Sequence, residues 1–301
     1  MQTTHSLKRQ INIGINALGG VAMPLSILAG TLYVDANNSN PPDPYEGFTS
    51  WENAATNIQE AVNAAEAGDT ILVRAGTYRL PDAAVDSAGA LNVVHLPYAL
   101  TIRGVDGPEV TLIDGEGQYR GIAIAHNVNA PPTVFEGLTV TNGFAPHGAG
   151  AVHGGGTYEF VDCTLTLNTG GGAIHFDGDA GTFVVYNSII FGNVSANVGT
   201  IPSGWQPVTF VHNCATLNRP SDVPDFEADG NFTDPPLFVD PDVGNYRLRR
   251  DSPCINAGLN QDDWMHDAVD LDGNPRIDRV HNQVDMGAYE FQYAGTTILV
   301  R

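Results

Sequence analysis

The length and charge of the chain limit what it can be. Its 301 residues suffice for one domain with a sizeable core, and 34 acidic residues against 13 basic ones give a formal net charge of −21. Such a chain is a poor partner for nucleic acid or an anionic membrane, because both carry the same sign of charge. The 34 Gly and 19 Pro suit a fold of short strands and many turns.

The N-terminal 30 residues have the pattern of a secretory signal peptide. Lys8 and Arg9 precede 20 residues without a charge, and small residues close this run. Asn and Pro residues within the run disfavour a permanent membrane span. We therefore predict a signal peptide over residues 1–30, a secreted or cell-surface bacterial protein, and no membrane span in the mature chain. The alternative is an apolar lid over one end of the fold.

A helix is predicted over about 51–67. Ser50 can cap it, apolar residues at helical spacing line one of its faces, and Gly68 can end it. Three strand-like apolar runs follow, TILVRA, ALTIRGV and VTLIDG.

Four nine-residue windows then repeat at a nearly fixed spacing. They end at Asn142, Asn168, Asn193 and Asn218, so the closing asparagines are 26, 25 and 25 residues apart. Each window has the length of a strand, and Asn tolerates tight turns. This period predicts a β-solenoid, whose stacked coils together bury the apolar face that one coil cannot bury alone. A β-sandwich, the alternative, expects hairpin turn signals and no fixed period.

The repeats and their flanking segments resemble a known family. The stretches GAGAVHGG from Gly148 and GGGAIHFD from Gly170, together with residues 33–79 and 236–258, are similar to the right-handed parallel β-helix of the pectate-lyase-like superfamily and to β-helix surface proteins of environmental bacteria. The superfamily includes lyases, hydrolases, esterases and non-catalytic adhesins, so the resemblance leaves the function open.

The resemblance implies an all-β fold, a right-handed single-stranded parallel β-helix over residues 31–291. The predicted helix at 51–67 would be its N-terminal cap, because an open strand edge invites aggregation. The implied parts are regular coils over about 121–218, an irregular C-terminal cap over about 219–291 and a tail at 292–301.

Histidines recur at one phase of the repeat. Each of His153 and His175 follows an aliphatic residue that should face the core, so both imidazoles should point outward and stack. His126 has a similar phase, and His95 a looser one. We predict His126, His153 and His175 as ligand-binding residues, for a metal or an anionic sugar, or as acid–base groups. The alternative is that stacked like residues are only a packing habit of solenoids.

Candidate catalytic residues lie beside this row. They are His153 and His175 with Asp177 and Asp179, which follow His175 closely. A lyase needs a base and a calcium ion or Arg to neutralise a uronate carboxylate, and the coils at 121–218 contain no Lys or Arg. A hydrolase needs carboxylates on both sides of the substrate, which neighbours on one loop rarely provide. Whether the protein is an enzyme stays open.

The stretch DAVDLDGNPRID offers oxygen ligands for calcium. Asp270, Asp272, Asn274 and Asp278 have suitable spacing, although Pro275 stands where the EF-hand pattern requires Gly. The alternative is a set of Asx turns in a loop-rich cap. No other cofactor is predicted.

The spacing of the cysteines does not predict a disulfide framework. Cys163 and Cys214 lie two coils apart, which is about twice the strand spacing of ~4.8 Å and beyond disulfide reach. We interpret them as small core residues, and no zinc-binding spacing is present.

The sequence as a whole predicts an extracellular or cell-surface β-helix protein with a binding or structural role. Polysaccharide or other surface components are its predicted partners. The alternative is a polysaccharide lyase or glycoside hydrolase that uses the face carrying the histidines.

Overall fold

The secondary structure is almost entirely short strands. A computed structural model describes residues 29–39, 47–80, 84–85, 91–105, 111–125, 131–195, 197–199, 201–202, 205–217, 223, 226–260, 275–277, 281–287 and 289–292. In chain order the elements are β1 (Thr31–Val34), α1 (Ile58–Ala64), β2 (Thr70–Val73), β3 (Gly76–Tyr78), β4 (Ala84–Val85), β5 (Leu91–Leu96), β6 (Thr101–Gly104), β7 (Thr111–Asp114), β8 (Arg120–Ile124), β9 (Thr133–Glu136), β10 (Thr139–Thr141), β11 (Val152–Val161), β12 (Thr164–Thr166), β13 (Ile174–Tyr186), β14 (Ile189–Ile190), β15 (Trp205–Val211), β16 (Cys214–Ala215), β17 (Phe238–Asp240), a 3-10 turn (Pro241–Val243) and β18 (Asn245–Leu248). Apart from Ala29 and Gly30, the predicted signal peptide lies outside the described residues.

The strands stack as a parallel β-solenoid with three faces in its described part. Face A consists of β1, β2, β6, β9, the second parts of β11 and β13, and β15. Face B consists of β3, β7, β10, β12, β14 and β16. Face C consists of β5, β8 and the first parts of β11 and β13. All these pairings are parallel, so the predicted solenoid is confirmed and the sandwich is excluded.

The core is built from columns of inward-facing side chains. Strand β2 shows the alternation, since Ile71 and Val73 are fully buried while Thr70 and Leu72 are only partly buried. On face A the register stacks one apolar side chain on the next, and all are at most 1% exposed: Ile71, Ile102, Phe135, Phe160, Val185 and Phe210. Burying one such side chain contributes about 2 kcal/mol, so stability accumulates coil by coil.

The N-terminal helix is shorter than the sequence indicated. Helix α1 begins at Ile58, and its N-cap is Asn57, whose side chain accepts from the backbone N–H of Glu60. The predicted cap, Ser50, is therefore wrong, because residues 51–53 form a bend and a turn, and Ala55 pairs with Val34 of β1 through a bridge.

Helix α1 covers the first strand of face C, as predicted for an N-terminal cap. The carboxamide of Gln59 donates to the carbonyl of His95 at 3.2 Å and accepts from its N–H at 2.7 Å. Both groups lie on β5. The side chain thus replaces a neighbouring strand at this position, which protects an edge that would otherwise be open to pairing.

The C-terminal cap covers the outer side of face B. Outward threonines of this face are buried, and the hydroxyl groups of Thr141 and Tyr246 lie 3.0 Å apart. Tyr246 and Tyr289 pack with Leu112 of β7, while Leu248 and other cap residues pack around β14 and β16. The cap therefore runs back along the solenoid from its last coil to an early one. No helix among the described residues has the length and apolarity needed to cross a membrane.

Asparagine ladders hold the turns at both ends of face B. After face B, Asn168 Nδ2 donates to Asn193 Oδ1 at 2.9 Å, and Gly143 N–H donates to Asn168 Oδ1 at 2.8 Å. Before face B a second ladder joins Ser188, Asn213 and Asn231. The sequence analysis did not identify this second ladder.

One of the predicted asparagine positions is wrong. Register pairs Val140 with Leu165, which places Gly143 level with Asn168 and Asn142 level with Leu167. Asn142 instead occupies the left-handed turn position, with φ of 51°, and donates to Asp114. Asn168 and Asn193 hold equivalent positions as predicted, and Asn218 lies outside the described residues.

Candidate functional site

The candidate site begins with two stacked histidines on face C. Strands β11 and β13 pair His153 with His175, and the two imidazole rings lie 4.9 Å apart with an interplanar angle of 6°. The preceding residues, Val152 and Ile174, are fully buried. His175 is exposed and His153 half-buried, so the predicted outward stack is confirmed. Its role in binding stays a prediction.

The glycine-rich stretches before the histidines bring the turns close together. A Cβ at Gly171 would lie 2.0 Å from the carbonyl oxygen of Gly148, so no larger residue fits there. A Cβ at Gly148 would lie 2.3 Å from His153 Nδ1. Glycine at this position therefore leaves the space that the imidazole of His153 occupies.

The histidine row is interrupted on the preceding coil. Register pairs His153 with Ala123 and Ala123 with His95, so the row position on β8 belongs to an alanine that is 3% exposed. His126, predicted at this phase, lies outside the described residues. His95 belongs to the row but is separated from the stack by Ala123.

A carboxylate lies beside the stack. Asp177 Oδ2 is 3.9 Å from His153 Nε2, and the Asp177 side chain is 62% exposed. This separation is longer than a hydrogen bond, so the pair is a loose electrostatic contact. Asp179 belongs to the same strand, β13, but its side chain lies outside the described part.

The arginines of the early coils already have partners. Arg120 is buried and donates to the carbonyls of His147 and Ala149. The other three are ion-paired: Arg74 with Asp35, Arg79 with Asp114 and Arg103 with Glu136. A guanidinium held by a carboxylate is poorly suited to act as a base, which disfavours a lyase mechanism through these residues.

Face A carries a charged cluster that the sequence analysis did not identify. Arg103 and Glu136 are paired across β6 and β9. Glu159, on the adjacent β11, lies two residues from the position paired with Glu136. Burial and, secondarily, the charge of Glu136 raise the pKa of Glu159. The sequence does contain a signal for this cluster. Glu136 follows Phe135 and Glu159 precedes Phe160, and because these two phenylalanines face the core, both glutamates face outward.

A polar pocket of about 480 Å³ lies beside the turns that leave face B. Arg79 bridges two carboxylates in its wall, with 3.0 Å to Asp114 and 3.3 Å to Glu116. Asp114 also accepts from Asn142 at 3.0 Å. One guanidinium and two carboxylates leave the wall with a net negative charge, which makes the pocket less suited to an anionic ligand than the outward histidine stack.

The predicted calcium ligands cannot be placed. Asp270, Asp272, Asn274 and Asp278 lie outside the described residues. Within the described part of the chain, no group of three or more His, Cys, Asp or Glu side chains is arranged to hold a metal ion.

Comparison with known proteins adds little to this geometry. No protein-family model matches the chain, and no curated protein matches it. Among solved structures the chain is similar to a rhamnogalacturonan lyase, with a TM-score of 0.34 and 13% sequence identity over 63% of this chain and 64% of the lyase chain. The chain thus spans less than two thirds of that lyase, and the likeness supports no statement about activity.

Proposed function

We propose that this protein is a secreted or cell-surface β-solenoid that binds polysaccharide along face C. The observation that carries the proposal is the outward stack of the exposed His175 and the half-buried His153, with its rings 4.9 Å apart. The nitrogens of a neutral imidazole can donate to or accept from sugar hydroxyls, and on His153 only Nε2 can do so, because Nδ1 is buried. A straight parallel sheet presents such groups in a row, which suits an extended ligand.

The location outside the cell is part of the same proposal. It is supported by the signal-peptide pattern of residues 1–30 and by the resemblance of the repeats to secreted β-helix proteins of the pectate-lyase-like superfamily. The net charge of −21 favours a neutral glycan, since an acidic one would be repelled unless calcium bridged the two.

The test is a panel of neutral and acidic polysaccharides, each with and without calcium, in affinity electrophoresis followed by calorimetry. We expect the His153→Ala, His175→Ala double variant to lose at least tenfold in affinity with a nearly unchanged melting temperature. His147→Ala is the matched control, because His147 is exposed but lies outside the row. Retained affinity in the double variant would contradict the proposal.

A second candidate function, polysaccharide cleavage, is favoured by the carboxylate beside His153. Asp177 at 3.9 Å is placed to stabilise a protonated imidazole during acid–base catalysis. The same panel would be assayed for new reducing ends. If the protein cleaves, Asp177→Asn should reduce turnover while leaving affinity nearly intact; if it only binds, no glycan in the panel is shortened.

A further inference from the structure

Two cysteines from distant parts of the chain meet under the C-terminal cap. Cys214 belongs to β16, Cys254 belongs to the cap, and both are fully buried. They share one apolar cluster with Ile189, Leu248 and Met286, and the thiol of Cys254 is the first cause that raises the pKa of Cys214. All cysteines are free thiols in this structure.

Hydrogen bonds hold both cysteines in place. Cys214 Sγ donates to the carbonyl of Asp234 at 3.1 Å, and the carbonyl of Cys254 accepts from Met286 N–H at 2.9 Å. Cys163 belongs to a different environment, since its Sγ lies 3.3 Å from the carbonyl oxygen of Val161 inside the coil. Two of the three thiols therefore share one buried cluster, and the third lies in another.

We infer that Cys214 and Cys254 form a disulfide that fastens the C-terminal cap to strand β16 when the protein folds in the presence of a thiol oxidant. The two S–H bonds break and one S–S bond forms, while two electrons and two protons pass to a disulfide oxidant, which is reduced to two thiols. The inference concerns the fold and does not depend on the proposed binding function.

The closed structure explains when this bond can form. The neighbouring thiol and burial raise the pKa of Cys214 far above its ordinary value, so the reactive thiolate is not available once the cap is in place. Oxidation therefore occurs during folding, while the cap docks and brings the two cysteines together but has not yet buried them. Afterwards the same burial protects the bond from reduction.

The test compares protein refolded with a glutathione redox couple and protein refolded with an excess of reductant. After denaturation, the oxidised sample should present one reactive thiol per chain and a mass lower by about 2 Da. Peptide mapping should link Cys214 to Cys254, with the same link in Cys163→Ala. The oxidised form should melt roughly 5 to 10 °C higher than the reduced form, because the bond closes a long loop.

Cys254→Ala separates the bond from the packing of the residue. Its melting temperature should no longer respond to the redox couple, whereas that of Cys163→Ala should respond like the wild type. Three reactive thiols after oxidative refolding, or a link that includes Cys163, would overturn the inference. If Cys254→Ala does not fold, the thiol count and peptide map of the wild type still decide the matter.

Discussion

At the scale of single residues, the buried amide of Asn168 joins its own coil to the coils on both sides. Its Nδ2 donates to the carbonyls of Val140 and Thr166 as well as to Asn193, and its Oδ1 accepts from Gly143. Each buried polar group left without a partner costs about 1–3 kcal/mol. The position is therefore far more sensitive to truncation than a surface asparagine.

We expect Asn168→Ala to lower the free energy of unfolding by about 3 kcal/mol, measured by urea denaturation. Asn142→Gly is the control, because glycine accepts the left-handed backbone at this exposed position and only one partly exposed hydrogen bond is lost. Equal losses in the two variants would mean that the ladder adds nothing beyond the turn.

Asn168 and Asn142 also show how much of the asparagine ladder could be predicted from the sequence. The 25-residue period predicted the ladder because one residue type recurs at one phase. It misplaced Asn142 because the ladder position on that coil is glycine, so residue type and phase disagree. The second ladder was missed because Ser188, Asn213 and Asn231 do not repeat one residue type, and only register reveals that they share a column.

A buried acid in the C-terminal cap makes stability depend on pH. Glu290 is 5% exposed, and burial, followed by the charge of Asp285, raises its pKa well above the ordinary value, against the smaller opposing effect of Arg276. The folded protein therefore prefers the neutral carboxyl. This contribution to stability is fully present below about pH 4.5 and is lost as the pH rises through the raised pKa.

We expect Glu290→Gln to imitate the neutral form and to become progressively more stable than the wild type as the pH rises from about 4 to 8. The measurement is the difference in melting temperature between the two proteins across that range. Glu227→Gln, which changes an exposed carboxyl of the same cap, should give a flat difference. If the difference in melting temperature for Glu290→Gln were also independent of pH, the ionised carboxylate of Glu290 would not destabilise the folded protein.

At the scale of elements, the cap is attached through the turns that precede face B. Asn187 accepts from the N–H of Leu259 at 2.7 Å and donates to its carbonyl at 2.9 Å. On the next coil, His212 Nδ1 lies 2.6 Å from the carbonyl oxygen of Ala257. Equivalent turn residues on successive coils thus bind alternate residues of the cap, an arrangement that no local sequence pattern indicates.

We expect Asn187→Gly to detach this part of the cap while keeping the left-handed backbone, whose φ is 48°. Loss of two partly buried hydrogen bonds should cost about 2 kcal/mol and increase hydrogen exchange around Leu259. Asn260→Ala is the control, because its side chain bonds the cap to itself through Asn282 and Val284. Unchanged exchange at Leu259 in Asn187→Gly would show that apolar packing alone holds the cap.

The histidine site was predictable where the repeat is regular and not beyond it. His153 and His175 share a phase that two similar stretches make visible. The spacing on face C differs from coil to coil, since Asn92 pairs with Arg120 but Ile122 with Val152. The position of His153 in its coil therefore does not predict the equivalent position in the preceding coil. The sequence analysis assigned His126 to that position, which Ala123 occupies.

At the scale of the whole molecule, a solenoid is open at both ends unless something covers it. Strand β1 adds to the edge of β2 on face A, and α1 covers β5 on face C. Together they bury residues such as Val34 and Ile58 in the same core that runs through the coils. The covering is therefore continuous with the fold, and its removal exposes both apolar side chains and unpaired backbone groups.

We expect a chain that lacks residues 31–68 to be insoluble or to elute as a large aggregate in size-exclusion chromatography with light scattering. The exposed edge of β2 would then template the pairing of further chains. Gln59→Ala, which opens only the edge at His95, should stay soluble but melt a few degrees lower, because two hydrogen bonds at one position are lost. A truncated chain that elutes as a soluble monomer would contradict the capping role, since β2 would then tolerate solvent along its whole length.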